Sequence, residues 1–103
     1  MIARVWTAEA VPAQAAAYAE HFRCQILSAV RQLDGFAGAT LLQRPSAGVV
    51  EIVVLTYWQS LEAIRGFAGD DLEQAVVAAE AAALLTRFDP RVRHYQVVSK
   101  EGA

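Results

Sequence analysis

The chain has 103 residues, of which 55% are hydrophobic and 19% charged, which excludes a disordered polar segment and provides for one ordinary core. A net charge of −2 gives no general attraction for phosphates or anionic lipid, so neither nucleic acid nor a membrane is an expected partner. The single cysteine, Cys24, has no disulfide partner within the chain, and no apolar run approaches the roughly 20 residues of a membrane helix, so a cytoplasmic protein is expected.

Ile2-Ala3-Arg4-Val5-Trp6-Thr7 is short and rich in β-branched and aromatic residues, the composition of a strand. Pro12 suits the first turn of a helix, because proline has no amide hydrogen to leave unpaired there. That helix is predicted to run to about Leu33, with Tyr18, Phe22, Ile26, Ala29 and Leu33 on one apolar stripe and Asp34-Gly35 ending it. Phe36 to Arg44 and Val49 to Tyr57 read as a hairpin turned by Pro45-Ser46-Ala47-Gly48. In its second strand Val49, Val53, Leu55 and Tyr57 point one way and Val50, Ile52, Val54 and Thr56 the other, so both faces need apolar cover.

Ser60 is placed to cap a short helix ending near Phe67, with Gly69 closing it. Asp70-Asp71-Leu72-Glu73 has capping-box spacing, which predicts another helix through the alanine-rich segment to about Leu85. Asp89-Pro90 is a turn signal, Val92 to Val98 a final strand, and 99–103 a tail that frays beyond an ordered core of 1–98. Strand, helix, two strands, helical region and strand together give one ferredoxin-like α+β domain with a four-stranded antiparallel sheet and helices on one face. The other, apolar sheet face is then left bare, which predicts a homodimer packed sheet on sheet.

Thr56-Tyr57-Trp58-Gln59-Ser60-Leu61-Glu62-Ala63-Ile64, Phe67-Ala68-Gly69-Asp70 and Phe88-Asp89-Pro90-Arg91-Val92-Arg93-His94-Tyr95 resemble the antibiotic biosynthesis monooxygenase (ABM) domain, and Ala3-Arg4-Val5-Trp6-Thr7 fits the same pattern. The resemblance spans nearly the whole chain and implies a dimeric α+β barrel. It also implies one of several activities: cofactor-independent oxygenation of phenols and anthrones, quinol monooxygenation, or haem degradation. Trp58 stands where the haem-degrading members keep a pocket tryptophan. Those members also use an asparagine on the first strand and a histidine on the later helix. This chain has no asparagine, and neither of its histidines, His21 and His94, lies between Leu61 and Leu85. That triad, and the asparagine of the anthrone oxygenases, therefore do not carry over.

The expected function is cofactor-independent monooxygenation of a small aromatic substrate, with a non-catalytic ligand-binding or accessory homodimer as the alternative. His94 is the candidate base, since an ordinary histidine titrates near operating pH; its structural alternative is a hydrogen bond to a neighbouring strand. Trp6, Tyr57, Trp58 and Phe67 are the aromatic candidates for a flat pocket, each also a natural core residue. His21 lies one residue from the apolar stripe of the first helix. Arg4 and Glu51 interrupt apolar strands and are expected to pair across them, Arg4 being alternatively a bidentate ligand for an anionic substrate group. Cys24 reads as a small helix residue. No metal-ligand spacing or phosphate loop is present, so neither a metal nor a nucleotide cofactor is expected.

Overall fold

The computed structural model describes residues 1–102. Strand β1 covers Ile2–Ala10 and is followed by helix α1, Pro12–His21, with proline in its first turn as expected. The helix continues through a π-helical turn, Phe22–Ile26, into α2, Leu27–Val30, and Gly35 at φ 84° then redirects the chain into β2. Strands β2, Phe36–Ser46, and β3, Val49–Trp58, form the hairpin. Ser46 pairs with Val49, so the turn is the two residues Ala47 and Gly48, both at positive φ, a twist that suits right-handed strands. Pro45 sits inside β2 without harm because β2 is an edge strand. Helix α3, Leu61–Ala68, is capped as predicted: the Ser60 hydroxyl accepts from the Ala63 amide at 3.1 Å.

The sheet order is β2-β3-β1-β4, every pairing antiparallel. The final strand is divided: β4, Arg87–Phe88, and β5, Arg93–Gln96, pair in turn with β1, and the intervening 89–92 leave the ladder. This is the expected ferredoxin-like arrangement, and within one chain the sheet is open. Arg4, Trp6, Ala8 and Ala10 on β1, with Val50, Ile52, Val54, Thr56 and Trp58 on β3, are buried beneath the helices. Ala15, Tyr18 and Phe22 of the first helix pack on that face. The opposite face carries Val5, Leu42, Val53, Leu55 and Tyr57, with no element among the described residues over it, and Leu42 is about half exposed (48%).

Two expectations are corrected. The helix predicted from Asp70 to Leu85 is reduced to one turn, α4, Ala79–Ala82, and 70–78 form a strap that turns at Leu72-Glu73, where Gln74 N donates to Asp71 O at 3.1 Å, and then runs without helix to Ala78. The local carbonyls and carboxylates are engaged elsewhere. Asp71 accepts from its neighbour Glu73's amide, and both carboxylates bind Arg91 at 2.6 and 3.4 Å. The Glu73 carbonyl accepts from Val92 N, and Ala75 N donates to Pro90 O. Arg4 takes the carbonyls of Leu72 and Gln74. Val76-Val77 adds two β-branched residues, which a helix favours least among the aliphatics. The second correction concerns Arg4 and Glu51. Arg4 pairs with Thr56 in register and faces the helices, whereas Glu51 lies opposite Glu9 and Arg44 and binds Arg44 on the open face. Strand alternation places the two residues on opposite faces of the sheet.

Candidate functional site

Between the first helix and the sheet lies a cavity of about 290 Å³, at the small end of the range for organic-ligand pockets. Trp6 of β1 and Val54 of β3 form its floor, and Tyr18, His21 and Ile26 its helical wall. Phe67 stands at one end, and the strap from Val76 to Ala81 roofs it. The strap reaches the space with Val76, Val77 and Ala78, which are not helical, ahead of the single turn of α4. Gln25 and Ile26 of the π-helical turn also line the cavity, and such turns recur at functional sites.

The aromatic floor is held firmly. Trp6 donates its indole N–H to Asp89 O at 2.8 Å, and its ring lies 6.0 Å from Tyr18 and 6.2 Å from Phe88. Tyr18 is 2% exposed, and burial alone pushes its hydroxyl well above the usual phenol range, so it is a hydrogen-bond donor at any ordinary pH. The His21 ring is 6.0 Å from that of Tyr18.

Arg4 is the charged element of the site. It is 4% exposed, and burial lowers its guanidinium to about 10, which leaves it cationic at neutral pH. Nη1 donates to Leu72 O at 2.5 Å and to His94 Nε2 at 2.9 Å, and Nη2 donates to Gln74 O at 2.7 Å. An arginine only donates, so His94 Nε2 accepts and the neutral ring carries its proton on Nδ1. Burial first, and the Arg4 charge second, hold His94 below the ordinary histidine value. The guanidinium also lies 5.5 Å from the centre of the Phe67 ring, within cation–π reach.

The structure thus brings together Arg4, Trp6, Phe67 and His21 of the residues singled out in the sequence. His94 touches the site through Arg4 and does not line the cavity. Trp58 is fully buried beside it, stacked on Phe67 at 5.6 Å, edge-on to Phe36 at 5.5 Å, with its indole donating to Thr56 Oγ1. Tyr57 lies on the open face under the Lys100 ammonium. Tyr18 and the strap residues were missed as site members. In the sequence Tyr18 shows as a stripe residue but not as a lining one, and the strap has the local pattern of a helix. Among the described residues no group of acidic, histidine and cysteine side chains is arranged to hold a metal ion, and no helix is long and apolar enough to cross a membrane.

Comparison with curated proteins finds no match. Solved structures share the fold over essentially the whole chain, among them the following three. A protein of Bacillus cereus assigned to antibiotic biosynthesis monooxygenation superposes with a TM-score of 0.71 at 19% identity, over 100% of this chain and 96% of that one. The haem-degrading protein MhuD of Mycobacterium tuberculosis, with two haems in its active site, gives 0.62 at 26% identity over 99% and 100%. The Streptomyces coelicolor monooxygenase from the ActVA-Orf6 gene, bound to nanaomycin D, gives 0.59 at 22% over 99% and 88%. The sequence profile of antibiotic biosynthesis monooxygenases matches residues 1–79. The chain therefore belongs to the antibiotic biosynthesis monooxygenase family.

Proposed function

We propose that the protein is a small-molecule oxygenase that uses molecular oxygen without a resident metal or flavin, on a planar aromatic substrate such as a phenol, quinol or anthrone. The observation that carries this reading is the cavity of about 290 Å³ with Trp6, Tyr18 and Phe67 around it, a size and lining suited to a few fused rings. His21 is the histidine that lines the cavity and takes the role of base; His94 is the residue that holds Arg4. For an anthrone, the base removes a proton from the ring carbon and the anion passes an electron to oxygen. The two radicals then combine to a peroxide anion, which takes the proton back from the base to give a hydroperoxide. Loss of water from the hydroperoxide leaves the quinone carbonyl, so one oxygen atom enters the product, the other leaves as water, and the substrate supplies the electrons. Arg4 and the Tyr18 hydroxyl stabilise the developing oxyanion.

The test is oxygen uptake with a panel of phenols, quinols and anthrones, with haem included because of the likeness to MhuD. Uptake with a small aromatic is expected, with His21→Ala slowing it by about 10²–10⁴-fold. Binding without uptake across the panel favours the second reading, a ligand-binding accessory protein, which the sparse acid–base equipment of the cavity also supports.

The same reading includes a homodimer through the open sheet face, in the cytoplasm. Val5, Val53 and Leu55 form an apolar surface there that no element among the described residues covers, the kind of patch that marks an association surface.

A further inference from the structure

Arg4 is cationic and buried, and among the described residues it has no counter-ion. Among the described residues, five other arginines each pair with a carboxylate. Arg31 and Arg93, which do not, are exposed. Arg4 is neither paired nor exposed: among the described residues no carboxylate lies within ion-pair distance, His94 beside it is held towards neutrality, and Glu73 nearby is engaged by Arg91. Glu80, the acidic residue on the cavity lining, is exposed on α4.

Three of the five N–H donors of a guanidinium are used here, two on Nη1 and one on Nη2. The carbonyls of Leu72 and Gln74 take one donor from each terminal nitrogen. Nε–H and one of the two Nη2–H donors remain without a protein partner. Among the described residues no fully buried side-chain nitrogen or oxygen lacks a partner. Nε donates to none of them and therefore opens on accessible space, and Arg4 lines the cavity. The long edge of a guanidinium matches two oxygens of a carboxylate in one plane. An occupant that never presents an anionic oxygen would displace water from this edge without replacing the charge, leaving a cation unpaired in a largely apolar pocket.

We propose that the cavity's ligand is a planar aromatic acid whose carboxylate lies side-on against Nε and Nη2 of Arg4. This rests on the reading of the cavity as a small-molecule site and adds the charge of its occupant. It also gives the strap a function: the guanidinium that receives the anion is the one that clamps the carbonyls of Leu72 and Gln74, so ligand and roof share one anchor.

The experiment is titration calorimetry of the full chain with naphthoate and with naphthamide, which have the same shape and differ in charge. Naphthoate is expected to bind about 10- to 100-fold more tightly, the ratio that one charged hydrogen-bonded contact supplies. Arg4→Met should abolish the ratio. Arg4→Lys, which keeps the charge and loses the fork, should reduce it, and circular dichroism checks that each variant is folded. The wild-type ratio decides the matter even where a variant fails to fold. Equal binding of acid and amide, or a ratio that survives in folded Arg4→Met, overturns the proposal and leaves the cavity reading standing. Binding of neither overturns both. Failure of the oxygenase reading appears separately, as the absence of oxygen uptake.

Discussion

Replacing Trp58 by phenylalanine and, separately, by alanine tests whether this tryptophan is core or ligand contact. The side chain is fully buried, its ring packed on Phe36 and Phe67 at 5.5 and 5.6 Å and its indole N–H bonded to Thr56 Oγ1 at 2.9 Å. Truncation of a large buried aromatic to alanine costs about 3–5 kcal/mol. Against a total of about 5–15 kcal/mol for a domain, Trp58→Ala retains little stability. Phenylalanine keeps one ring and the apolar contacts and loses the indole hydrogen bond, a cost of about 1–2 kcal/mol. At about 4–8 °C per kcal/mol for a domain of this size, that lowers Tm by roughly 5–15 °C. The assays are urea unfolding followed by far-UV circular dichroism, and ligand titration well below the transition. Trp58→Phe should be less stable and bind ligand as the wild type does. A variant of unchanged stability that has lost binding would refute the assignment of Trp58 to the core.

Gly35→Ala forces alanine to φ 84° and sets its Cβ 2.5 Å from that of Ala63; left-handed strain and overpacking together cost about 2–5 kcal/mol. Ala63→Gly in the same chain should recover the packing part alone, and wild-type stability of Gly35→Ala by denaturant titration would show that the approach is looser. His94 titrates below the ordinary histidine value in the folded protein because burial and then the Arg4 charge oppose its protonation. As pH falls below about 6.5 the unfolded chain takes up this proton first, so stability falls towards acid until the folded-state value is reached. His94→Gln should flatten that acid limb of Tm against pH, and an equal slope in both proteins counts against the Arg4 contact. Leu55→Glu places a carboxylate on the open sheet face. Light scattering should give a dimer for the wild type and a monomer for the variant, and a monomeric wild type would exclude the sheet-to-sheet association.

The framework was legible because its signals were local and strong. Pro12, the Ser60 cap and the alternation of Val49 to Tyr57 each specify an element by its own backbone requirements, and the structure has all three. The strap was not legible for the opposite reason. Asp70-Asp71-Leu72-Glu73 and the alanines after it are good local helix sequence, but Arg4 and Arg91, distant in the chain, draw off the carbonyls and carboxylates that a helix start would use. The π-helical turn likewise leaves no mark in a stripe spaced by threes and fours. Arg4 was visible as a charge on an apolar strand, yet its choice between Glu51 and the cavity depended on which face of the sheet it occupies, and the helix-covered face leads it to the strap and His94.

The claim that a planar aromatic ligand occupies the space over Trp6 is tested most directly by the two indole N–H resonances of the protein, those of Trp6 and Trp58. The Trp6 indole is anchored on Asp89 O at the cavity floor, and the Trp58 indole is enclosed against Thr56. Titration of naphthoate into labelled protein should shift the Trp6 signal strongly and saturably, with the Trp58 signal moving less. A Trp6 signal that stays fixed while ligand binds, or shifts confined to Tyr57 and Leu55 on the open face, would contradict the account.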